Sequence, residues 1–158
     1  MNRELSRLAA AVGLDEPDRE PLRLAFGLAC ARRVEHLLED PRAAQCLSVL
    51  QAFVDGTADH ATLERASQEI AAVANSHRGS NSLDGAAHAA VSATYATANA
   101  LAGRALEAAG YAAYAAVYGY GSYAVADPSA FDGEFAWQVE QLKTLLHASQ
   151  HEARRHEE

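Results

Sequence analysis

Residues 85–126 read GAAHAAVSATYATANALAGRALEAAGYAAYAAVYGYGSYAVA, a run built mainly of alanine whose charged residues are Arg104 and Glu107. Alanine has the highest intrinsic helix propensity, so the run predicts helix. It shows no period-2 alternation of branched residues, the mark of a strand. The spacing predicts one helix over about 83–108, ended by Gly110, and a second over about 111–126, stopped by Asp127-Pro128. Alanine presents little side-chain area, so these two helices should lie close together at the centre of an all-α bundle. Residues 108–126 carry no charge and match the length of a bilayer span. Their branched aliphatic residues are only Val117 and Val125, and leucine, isoleucine and phenylalanine are absent. That composition favours a buried central helix over a membrane span.

The flanks are also helical. A first helix is expected over about 2–12, ending at Gly13. Residues 14–21 hold two prolines and four acids and read as a linker-like loop. A second helix over about 22–38 carries the stripe Leu22, Phe26, Cys30, Val34 and Leu37. Asp40 caps a third, with Pro41 at its first position, and Asp55-Gly56 closes it. Its expected buried stripe is Ala44, Leu47, Leu50 or Gln51, and Val54. Asp59 caps a fourth helix running to Ser76, with Leu63, Ala66, Ile70, Val73 and His77 on one face. The closing helix starts between Ser129 and Asp132 and runs past His147. Phe135, Gln138 or Val139, Leu142, Leu145 and Leu146 form its stripe. The charged residues 150–158 are expected to fray. The prediction is a single all-α bundle of six to seven helices spanning 1–158.

Composition limits the function. The chain has 158 residues and a net charge of −8. An acidic protein lacks the basic face that phosphate-dominated binding needs, which argues against a nucleic-acid partner. Two cysteines without a CxxC exclude a disulfide scaffold and a zinc knuckle. The charged N-terminus lacks the apolar core of a signal peptide, so the chain reads as cytoplasmic, with no membrane partner.

No catalytic constellation emerges. Glu-x-x-His, which a ferritin-like metal site needs, does not occur. His147 and His151 share a helix face, but no glutamate stands between them, and a solvated helix end is the better reading. His77 and His88, with Asp84, could form a small polar site at one end of the bundle. The competing and favoured reading has His77 at a helix C-terminus and His88 hydrogen-bonded inside. Cys30 lies on an apolar stripe and Cys46 has no adjacent histidine, so both read as inert. Phosphate-binding glycine loops and a Gly-x-Ser-x-Gly elbow are absent, and Gly119-Tyr120-Gly121 reads as a kink or a close helix contact. Tyr111, Tyr114 and Tyr118 share one face, either as a contact surface or as filler of an alanine-rich core, with core favoured. No metal or cofactor is expected.

Four stretches in order carry a resemblance. LACARRVEHLLE (28–39), AFVDGT (52–57), GAAHAAVSATY (85–95) leading into AGYAA (109–113), and FAWQVEQLKTLL (135–146) together resemble the immunity-five family of bacterial immunity proteins. Phe53 stands where the family pattern would place tryptophan, and 14–21 match nothing in it. The resemblance implies an all-helical protein encoded beside a toxin, which it binds and neutralises. The matched positions are Arg33, His88, Trp137 and Gln138, and the resemblance gives none of them a catalytic role. The resulting expectation is stoichiometric occlusion of a cognate toxin. Charge alone suggests a nuclease, whose basic cleft would attract an acidic inhibitor. Exposed Asp55, Asp59, Glu64 and Glu69 are the candidate toxin contacts, set against an ordinary solvated helix face. The alternative is a metal-binding or catalytic helical protein built on His77, Asp84 and His88. A homodimer through the alanine-rich face is also open.

Overall fold

In a computed structural model, residues 1–77 and 86–157 are described. The alanine-rich run forms two helices, α5 (Ala86–Leu101) and α6 (Ala105–Tyr118). They make the most extensive pairing in the molecule. Their boundary differs from the expected one. The turn lies at Gly103, with φ +76°, and Gly110 sits inside α6. The Gly103 amide donates to the Ala100 carbonyl (3.2 Å) and the Arg104 amide to Asn99 (2.9 Å). This is the left-handed glycine stop that an alanine helix needs to end within three residues. Thr94 and Thr97 are buried in α5. Their hydroxyls donate one turn back, to the Ala90 and Ala93 carbonyls, so neither is left unpaired.

The remaining helices are α1 (Arg3–Ala11), α2 (Glu20–Arg33), α3 (Pro41–Val54), α4 (His60–Ser76) and α7 (Asp132–Glu157). Side chains cap three of them, Asp40 and Asp59 as expected and Asn2 in addition. Asn2 accepts from the Leu5 amide, Asp40 from Arg42 and Asp59 from Thr62. Leu14 is buried in the core, and residues 17–19 form a short 3₁₀ turn that leads straight into α2 at Glu20. The expected second helix breaks at Val34 and continues as a 3₁₀ turn over Glu35–Leu37. In α3 the buried face is Ala43, Cys46, Leu47 and Leu50, while Val54 is exposed. After α6, Gly119 caps the helix and Gly121 has φ +125°. The Gly-Tyr-Gly motif is therefore a helix stop, a 3₁₀ turn over Ser122–Ala126 replaces the end of the expected sixth helix, and a second 3₁₀ turn follows over Pro128–Phe131. Helix α7 carries the tail onward to Glu157.

Helix α2 is the hub. Leu22, Phe26, Cys30 and Val34 join a core with α1, α5, α6 and α7. Leu24, Leu28 and Ala31 join a second core with α3, α4 and α5. Gly27 lets α2 and α5 touch. A Cβ there would stand 3.2 Å from the Ala100 Cα, a distance that backbone cannot readily yield. Among the described residues no helix is long and apolar enough to cross a membrane.

Candidate functional site

Three of the four motif residues meet at one place, where α7 seals the bundle. Arg33, at the end of α2, holds Glu134 through Nε (2.7 Å) and a terminal nitrogen (3.3 Å). Its guanidinium lies 4.3 Å from the centre of the Trp137 ring. A planar cation can satisfy a carboxylate edge-on and an aromatic face at once, which lysine cannot do. Gln138 is buried. It donates to the Ala109 carbonyl of α6 (2.8 Å) and accepts from Asn2 Nδ2 (3.1 Å), which also donates to the Phe135 carbonyl (3.2 Å). These groups bind helices to one another, and the side-chain amides of Asn2 and Gln138 are occupied. Cys30 lies in the same core, and burial holds its thiol far above the ordinary range, so it is inert. Glu134 was missed from the sequence. The available clue was an acid one turn before Trp137, on the helix face that meets Arg33.

His88, the fourth position, is elsewhere. It is exposed and stacks on Tyr118, with ring centres 5.3 Å apart. The expected interior hydrogen bond is therefore replaced by a surface stack. His77 lies at the end of α4, in a depression shared with Asp40 and Arg42 at the start of α3. Its Nδ1 is buried and finds no hydrogen-bond partner among the described residues. Asp84 lies outside the described residues. Among the described residues no three His, Cys, Asp or Glu side chains gather as metal ligands.

The acids proposed as contacts are exposed, and two of them do local structural work. Asp59 accepts from the Thr62 amide (2.8 Å) and hydroxyl (2.7 Å), which hold its carboxyl below the usual range. Asp55 accepts from Gln51 (3.1 Å) at the end of α3. Glu64 and Glu69 point about 140° apart around α4, at 100° per residue, so one flat partner cannot centre on both. Glu69 lies toward the start of α3, where burial, helped by Glu69, pushes the Cys46 thiol up to about 11.

The tyrosines overturn the core reading. Tyr111 is 40% exposed, Tyr114 47% and Tyr120 64%. Ala108, Ala112 and Ala115 occupy the buried side of α6, where helix approach is too close for rings, and the tyrosines face away from it. Tyr111 stacks on Tyr95 (5.3 Å), and Tyr114 reaches both Tyr118 (6.3 Å) and Phe131 (5.2 Å). Phe131 continues to Phe135 (5.6 Å). His88, Tyr118, Tyr114, Phe131 and Phe135 thus form one continuous aromatic ridge. Beside its Phe end is a mainly apolar cavity of about 620 Å³, between α1, α6 and α7. Asn2, Leu5, Ala109 and Gln138 are among its lining residues, along with the exposed Glu107, Gly110 and Tyr114. An aromatic surface of this kind, beside a cavity, is the composition of a protein-binding surface.

The sequence model of the Imm-5 like putative immunity protein family matches residues 18–145. The match takes in α2 to α6 and most of α7, with Arg33, His88, Trp137 and Gln138. No match was found among curated proteins or among solved structures.

Proposed function

Because the chain belongs to this immunity-protein family, we propose that it binds a cognate bacterial toxin one to one and occludes the toxin's active site, with no chemistry of its own. The family match over residues 18–145 is the observation that carries this reading. Two features support it. The motif residues Arg33, Trp137 and Gln138 are committed to holding helices together, as a rigid binding scaffold requires. The net charge of −8 suits a basic partner. An enzyme that grips nucleic-acid phosphates needs a basic cleft, so a nuclease is the toxin class this charge favours. On this reading Asp55, Asp59, Glu64 and Glu69 supply a steering field, which speeds encounter more than it adds affinity. The place of action would be the cytoplasm of the cell that makes the toxin.

The test is co-expression with the toxin domain encoded beside this chain. Survival of cells that the toxin alone kills, together with a one-to-one complex by light scattering, is the expected result. Cell death with both proteins soluble, or no complex at micromolar concentration, would contradict the proposal.

A further inference from the structure

We propose that the cavity beside the aromatic ridge receives a lysine or arginine side chain projecting from the toxin, with Glu107 as its counter-ion and Tyr114 as its aromatic wall. This rests on the immunity reading above and adds to it the contact surface and the chemistry of the partner.

The cavity's polar floor is already spent. Asn2 and Gln138 bond to each other and to the Phe135 and Ala109 carbonyls. The walls are mainly apolar, with Phe131, Phe135 and the half-exposed Tyr114 on one side. Among the described lining residues, Glu107 is the one with a charged side chain. Among the described residues no cation, the Met1 amino group included, lies within ion-pair distance of it. Glu107 occupies the first turn of α6, where the helix dipole favours an anion, and that accounts for its presence on a helix end. It does not account for an apolar, ring-lined cavity opening beside it. A long basic side chain fits all three features. Its methylene stem covers apolar wall while its cationic head meets the carboxylate and the ring face. An acidic or purely apolar side chain would leave Glu107 repelled or unpaired. The flanking tyrosines add large, rigid contact area of the kind that dominates interface energetics.

The experiment measures the dissociation constant of the complex with the neighbouring toxin domain for Glu107→Gln, Tyr114→Ala and a control carrying Asp15→Asn and Glu39→Gln, two exposed acids away from the cavity. All these positions are exposed, so each variant should fold. The expected result is about tenfold or greater weakening for each of the first two and less than threefold for the control. Wild-type binding with both cavity variants unchanged would overturn the cavity and leave the immunity reading standing. A concentration-dependent dimer of the chain alone, abolished by Glu107→Gln, would assign the cavity to a second copy and also overturn the proposal. If the wild type does not bind that toxin, the immunity reading fails, and the cavity is judged by a ligand alone. Resonance shifts at Glu107 and Tyr114 on adding Nα-acetyl-lysine methylamide, but not the norleucine analogue, would support a cation site, and equal or no shifts would overturn it.

Discussion

The α3–α4 half and the α1–α6–α7 half both close on α2, but by different means. The α3–α4 half is an ordinary amphipathic pair. Leu47, Leu50, Leu63, Ile70 and Val73 fill the interior, and side-chain caps finish the helix starts. The other half packs alanine against alanine and buries two polar groups, each held by a partner nearer the surface, Glu134 by Arg33 and Gln138 by Asn2. Small residues bring backbones close and displace the large rings outward. The same choice that thins the core therefore creates the aromatic ridge. One half is scaffold by area, and the other exchanges buried area for a rigid, ring-lined outer face.

If α2 truly serves both halves, breaking it should melt both together. Phe26→Ala removes its largest fully buried side chain and should cost about 3–5 kcal/mol. Tryptophan fluorescence, reporting from Trp137, and far-ultraviolet circular dichroism should show one coincident transition. Two separate transitions would break the shared-hub account. Gly27→Val tests the close α2–α5 contact next. The new Cβ meets Ala100 backbone, and overpacking of this kind costs about 1–3 kcal/mol in chemical denaturation. A neutral result would mean that the helices can part freely.

Arg33→Lys sharpens the contrast further. Lysine keeps the charge beside Glu134 but loses the edge-on grip and most of the stacking on Trp137. A loss of about 1 kcal/mol is expected, with a change in Trp137 emission. An equal loss from Arg42→Lys, whose pair with Asp40 is exposed, would erase the difference between the halves. The smallest effect belongs to Asp59→Ala. Hydrogen bonds from Thr62 depress the folded-state pKa of Asp59, so its contribution is present above the unfolded value near 4 and is lost as pH falls through the folded one. The variant should melt below the wild type at pH 7, and the gap should close toward pH 2. A gap independent of pH would contradict the capping account.

The two halves were not equally legible in the sequence. In α3 and α4 the punctuation Asp40-Pro41, Asp55-Gly56 and Asp59 flanks well-spaced leucines, and the observed bounds agree with it. In α5 and α6 alanine appears on every face, so hydrophobic periodicity has no contrast with which to say which side is buried. The sequence therefore offers no sign that the tyrosines face outward. Gly103 and Gly110 look alike locally, and only the packing of α6 selects Gly103 for the turn. The break at Val34 has no proline or glycine to announce it. Of the candidate site, the motif residues Arg33, Trp137 and Gln138 were visible as positions, but their shared task depends on contacts over a hundred residues apart in the chain with Glu134 and Asn2. The cavity beside Glu107 is a property of three helix ends meeting, which no local pattern encodes.

Hydrogen–deuterium exchange on the complex with the neighbouring toxin domain tests the division of labour most directly. The account predicts new protection over residues 105–118 and 128–135, with residues 55–70 exchanging as in the free protein. Protection confined to residues 55–70, with 105–118 unchanged, would contradict it and place the toxin on the acidic α3–α4 half.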